Sequence, residues 1–105
     1  MDDILKQLEQ VLEDRKSAKA DESYVSSLYA KGLDEILKKI GEESAEVIMA
    51  AKDGEQDKII YEVADLWFHT LVLLRHKDIE VDKIQDELST RFGLSGLTEK
   101  ANRTN

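Results

Sequence analysis

Apolar residues recur at intervals of three and four along most of this chain and no proline interrupts them, which predicts that its core-forming segments are α-helices. Ile4, Leu5, Leu8, Val11 and Leu12 mark a first amphipathic helix with Asp2 or Asp3 as its N-cap. Leu33, Ile36, Leu37, Ile40, Val47, Ile48 and Ala51 mark a second, from about Gly32 to Lys52, stopped by the turn pair Asp53-Gly54. A third, from about Gln56 to His76, is apolar on nearly every side, which is the pattern of a helix buried all round. A fourth runs from about Val81 to Phe92, with Asp78 or Asp82 near its start. Between Lys16 and Ser27 the chain turns small and polar until Gly32 closes the stretch, so a functional loop is expected there. Gly93 to Asn105 reads as a loop or a short helical turn.

Short links between long helices favour antiparallel neighbours, so the expected fold is all-α, an antiparallel helical bundle of about four helices in one domain over residues 1–105. The third helix has more apolar circumference than three neighbours can cover. A second copy is therefore expected to complete the bundle, as a homodimer or a higher homo-oligomer.

The net charge of −8, from 23 acidic and 15 basic residues, disfavours nucleic-acid backbones and anionic membranes as partners. A phosphate-bearing ligand would need cations to help it bind. With no cysteine, disulfides, thiolate metal sites and cysteine nucleophiles are excluded. The longest strictly apolar run is Val47 to Ala51, far below the ~20 residues of a membrane span. The acidic start Met1-Asp2-Asp3, with no apolar run after it, predicts neither a secretory signal nor a transit peptide, and a cytoplasmic protein is the expectation.

Acids stand where the pattern asks for apolar side chains. At about 100° per residue Glu43 falls in the core stripe of the second helix, almost in line with Ile36. Glu46 lies one turn on, so both carboxylates project from the same side, and Glu42 sits on the adjacent edge. On the third helix Glu62, Asp65 and His69 form a polar seam within about 60°, and His76 continues it. Packed antiparallel, the two helices would set Glu43 and Glu46 opposite Glu62 and Asp65. Four unpaired buried charges would cost more than the ~5–15 kcal/mol of stability a domain has, so these acids either take up protons or share a multivalent cation. The all-oxygen donor set is hard and points to Mg²⁺ or Mn²⁺. His69 can equally be a core histidine bonded to a backbone carbonyl. Trp67 and Phe68 belong to the core or to a subunit interface.

Ser23-Tyr24, Lys31-Gly32, the run from Lys39 to Val47 (K-I-G-E-E-S-A-E-V), and Glu62-Val63-Ala64-Asp65-Leu66 with His69 resemble the phosphoribosyl-ATP pyrophosphatase family of histidine biosynthesis. The likeness runs almost end to end and includes the tail from Arg91 to Arg103. The E-E-x-x-E and E-x-x-D pair is shared with the wider all-α nucleoside-triphosphate pyrophosphatase superfamily, so it indicates the reaction class; the Ser-Tyr, Lys-Gly and tail elements bear on substrate choice. The resemblance implies hydrolysis of the α–β phosphoanhydride of phosphoribosyl-ATP to phosphoribosyl-AMP and pyrophosphate, with magnesium as cofactor. Val25 stands where the family more often has a threonine.

On that reading Glu43, Glu46, Glu62 and Asp65 hold the metal, and Glu42, or failing it a metal-bound hydroxide, orients and deprotonates the attacking water. Lys31, Lys39, Arg91, Lys100 and Arg103 are candidate phosphate contacts. Ser23 and Tyr24 are candidates for a ribose or phosphate oxygen, or else an ordinary N-cap and a packed aromatic. Two other readings share these residues: a house-cleaning pyrophosphatase acting on a canonical or damaged nucleoside triphosphate, and a non-catalytic helical dimer whose acids bind a cation.

Overall fold

The computed structural model describes residues 3–93. The fold is all-α, with no strand among the described residues. Among the described residues the helices are α1 (Ile4–Asp14), α2 (Tyr24–Lys31), α3 (Leu33–Asp53), α4 (Gln56–His76) and α5 (Val81–Arg91), and a 3-10 turn, Arg15–Ser17, follows α1. Asp3 caps α1, accepting from the amides of Leu5 at 3.1 Å and Lys6 at 3.3 Å; Asp2 lies outside the described residues.

The stretch expected to be a loop contains α2. Ser23 stands at its N-cap and accepts from the Ser26 amide at 3.0 Å. Behind that cap Val25 and Leu28 are buried, and Leu28 is 1% exposed. Two apolar anchors and a cap outweigh the polar composition. Gly32 then ends α2 and begins α3 at φ 97°, a conformation that carries a steric penalty for any side chain with a Cβ.

α3 and α4, each of 21 residues, form a hairpin joined at Gly54-Glu55. Gly54 is left-handed and its amide reaches the Ala50 carbonyl at 3.0 Å, which closes α3. Against one end of this hairpin pack α1, α2 and the start of α5, around a core of Leu12, Val25, Leu28, Ile36, Leu71, Val72, Leu74 and Val81. Ile40, Phe68 and Tyr29 pack against that core, and the Tyr29 hydroxyl donates to the Leu12 carbonyl at 3.0 Å.

Asp82 stands in the first turn of α5 and Asp78 just ahead of the helix. Its N-cap residue is Glu80, and the amide of Val81 donates to Glu9 Oε2 of α1 at 2.7 Å. Glu9 also lies 3.7 Å from Arg75 of α4, whose other guanidinium nitrogen reaches Glu13 at 2.9 Å. These charged groups are mostly withdrawn from water and tie three helices together.

α4 is not buried all round within one chain. Its second half carries the core, but Ile60 is 57%, Tyr61 68% and Trp67 59% exposed, and Ile48 on α3 is 63% exposed. The 11-residue α1 and α5 are too short to cover 21-residue helices along their full length. Trp67 lines an apolar groove with Ile4, Leu5, Leu8, Phe68 and Leu71. The Cα radius of gyration is 16.8 Å, against about 13 Å for a compact chain of this length. No described helix is long and apolar enough to cross a membrane.

Candidate active site

The hairpin puts the anomalous acids in register, because Glu43 and Asp65 lie equally far in sequence from Gly54, as do Glu46 and Glu62. Ligand atoms of Glu43, Asp65 and His69 gather within 4.8 Å of one another, the two acids half-buried and the histidine 3% exposed. Glu46 and Glu62, one turn nearer the hairpin link, flank this group and do not join it at that distance. Their charges are still felt. Loss of water around Glu43 pushes its carboxyl up to about 7, helped by a hydrogen bond with Asp65 and by the negative charges of Asp65, Glu62 and Glu46. A carboxyl desolvated among three other acids binds either a proton or a cation, and this oxygen-rich donor set suits a hard divalent ion.

His69 is the core histidine bonded to a backbone carbonyl. Its Nδ1 lies 2.8 Å from the Asp65 carbonyl oxygen. A carbonyl only accepts, so Nδ1 carries a proton, and Nε2, the nitrogen whose lone pair would be open to a ligand, faces the Tyr24 hydroxyl at 2.7 Å. The two rings meet edge to face with centroids 5.6 Å apart. Burial raises the Tyr24 phenol above its ordinary value; Lys39 opposes this and Asp65, Glu43 and Glu35 add to it. The bond between Tyr24 and His69 links residues 45 positions apart, so sequence spacing carried no signal for it.

The other expected residues separate. Glu42 is exposed and lies 3.5 Å from Lys39, which borders Tyr24. Ser23 spends its oxygen on the α2 cap and also donates to Ser26 Oγ at 2.8 Å. Val25, at the position where a threonine was expected, is buried in the core. Lys31 is exposed at the far end of α2. Arg91 ends α5 and pairs with Glu87 at 3.0 Å. His76 leaves the seam and stacks on Tyr29 with centroids 6.3 Å apart. Lys100, Arg103 and the rest of the tail beyond Gly93 lie outside the described residues.

Residues 5–92 match the family described as phosphoribosyl-ATP pyrophosphohydrolase. The chain is 78% identical over 105 residues to the phosphoribosyl-ATP pyrophosphatase of Vesicomyosocius okutanii, covering all of both chains. It is 58% identical to that of Hydrogenovibrio crunogenus, over 97% of this chain and 94% of the relative. With the Neisseria gonorrhoeae protein of the same name it shares 54% identity, over 98% of this chain and 96% of the relative. A family match that takes in the paired acids of α3 and α4, with relatives alike along almost their whole length, establishes that this chain belongs to the phosphoribosyl-ATP pyrophosphohydrolase family.

Proposed function

We propose that this enzyme hydrolyses phosphoribosyl-ATP to phosphoribosyl-AMP and pyrophosphate, the second step of histidine biosynthesis, at a divalent-metal site held by Glu43, Glu46, Glu62 and Asp65. One phosphoribosyl-ATP pyrophosphatase domain spans residues 1–105 on this reading, working in the cytoplasm. The observation that carries it is the meeting of Glu43 and Asp65 across the hairpin, within 4.8 Å and half withdrawn from water. When bound, magnesium, with manganese as the nearest substitute, neutralises these acids and polarises the phosphoanhydride.

The chain's own residues supply the rest. Glu42, on the solvent side of Glu43, takes the proton of the attacking water as its oxygen bonds to the α-phosphorus. The bond from that phosphorus to the bridging oxygen breaks, and pyrophosphate leaves with the electron pair. Lys39, beside Glu42 and Tyr24, meets phosphate oxygens and offsets the chain's net charge of −8. Tyr24 borders the same opening, Ser23 sets the start of its helix, and Lys31 and Arg91 are assigned to outer contacts with the substrate.

We infer that two copies pack through the bare half of the hairpin to complete an antiparallel bundle. The exposure of Ile48, Ile60, Tyr61 and Trp67 supports this. Purified protein given phosphoribosyl-ATP should release pyrophosphate with magnesium and none with a chelator. Hydrolysis of nucleoside triphosphates with phosphoribosyl-ATP untouched would move the assignment to another substrate. Glu62→Gln should abolish release while the helical circular dichroism stays near normal; wholesale unfolding would make the acids structural.

A further inference from the structure

One ring nitrogen of His69 lies within 4.8 Å of a carboxylate oxygen from each of the two central acids, but both of its nitrogens already face a hydrogen-bond partner. Imidazole offers a metal one lone pair at a time, and on this ring it is the Nε2 pair, since Nδ1–H is spent on the Asp65 carbonyl at 2.8 Å. That lone pair points at the Tyr24 hydroxyl, 2.7 Å away. An ion bonded to Nε2 would stand about 2.1 Å along the same direction, well inside the van der Waals contact of that oxygen. Tyr24 and a histidine-bound metal are mutually exclusive.

We propose that Tyr24 sets the metal selectivity of this site: by holding His69 Nε2 it keeps nitrogen out of the donor set and leaves carboxylate oxygens alone to bind. The inference rests on the metal centre proposed above. Carboxylate-only sites suit Mg²⁺ and Mn²⁺, whereas one added imidazole favours Zn²⁺ and Co²⁺, which outcompete magnesium at nitrogen-containing sites. Tyr24 is a positioning residue here, acting through His69. In a cell that holds both kinds of ion, removing its hydroxyl would leave the pocket open to the tighter-binding metal.

The test uses the full chain as wild type, Tyr24→Phe and Tyr24→Phe/His69→Gln, each titrated with Zn²⁺ and with Mn²⁺ by calorimetry. Tyr24→Phe should tighten Zn²⁺ by at least about tenfold and change Mn²⁺ by less than about threefold, and the double variant should lose the gain. In ¹⁵N spectra of the histidines with Zn²⁺ present, Nε2 of His69 should move to a metal-bound position in Tyr24→Phe and stay hydrogen-bonded in wild type. The wild-type spectrum needs no variant to fold, and an imidazole already coordinated there overturns the proposal. So does a Tyr24→Phe protein with no selective gain, or a gain that survives loss of His69. Wild-type protein that binds neither ion refutes the metal centre and this inference together. Intact Mn²⁺ binding without the zinc gain refutes the role of Tyr24 alone.

Discussion

Glu43→Gln should stabilise the metal-free protein, although it removes a group assigned to the active site. In the folded chain the Glu43 carboxyl is pushed up to about 7 from an ordinary 4.5, by loss of water and by the acids around it. Below the lower value both folded and unfolded chains are protonated at this position and nothing is lost. As pH rises past it the unfolded chain ionises first, so folding stability falls until the folded carboxyl also ionises, and the full penalty stands above about pH 7. At 1.36 kcal/mol per tenfold change in proton affinity the ceiling is about 3 kcal/mol. Glu43 is only half-buried and water screens part of its repulsion, so about 1–2 kcal/mol is the working figure. Glutamine keeps the shape and drops the charge. Urea unfolding in a chelator, at equal protein concentrations, should find the variant more stable by that amount at pH 8 and level with wild type at pH 4.5. By thermal melts the pH 8 difference should be on the order of 5–10 °C. Saturating magnesium should reverse the order, because only wild type gains the binding free energy. A variant less stable than wild type at pH 8, or shifted equally at both pH values, would refute the account of Glu43 as a repelled, cation-seeking group.

Other perturbations test the frame around the site. Leu12 is fully buried in the core cluster, so Leu12→Ala should cost about 2–5 kcal/mol in urea unfolding. Glu9→Ala orphans the Val81 amide and removes one of the two carboxylates beside Arg75; a loss of about 2–4 kcal/mol is expected, and unchanged stability would deny that this carboxylate caps α5. Trp67→Glu places a charge in the bare groove of α4. Light scattering should then report a monomer with helical content retained, and an unaltered assembly would place the subunit contact elsewhere.

Much of this architecture could be read from residue order. Helical periodicity placed α3 and α4 to within a residue or so of their ends, since burial of a continuous stripe repeats at the helix's own period and Gly54 supplies a local stop. The misfit of Glu43, Glu62 and Asp65 with their stripes was legible for the same reason. α2 was hidden, because its stability comes from Ser23 capping one turn and from Val25 and Leu28 meeting a core built by residues far away. The status of His69 likewise depended on which partners reached each ring nitrogen, and one of them, Tyr24, comes from another helix. Glu9 capping α5 from α1 belongs to the same class. Periodicity reports which face of a helix avoids water. It carries no information on which distant donor meets which acceptor, because that pairing exists only once the chain has closed on itself.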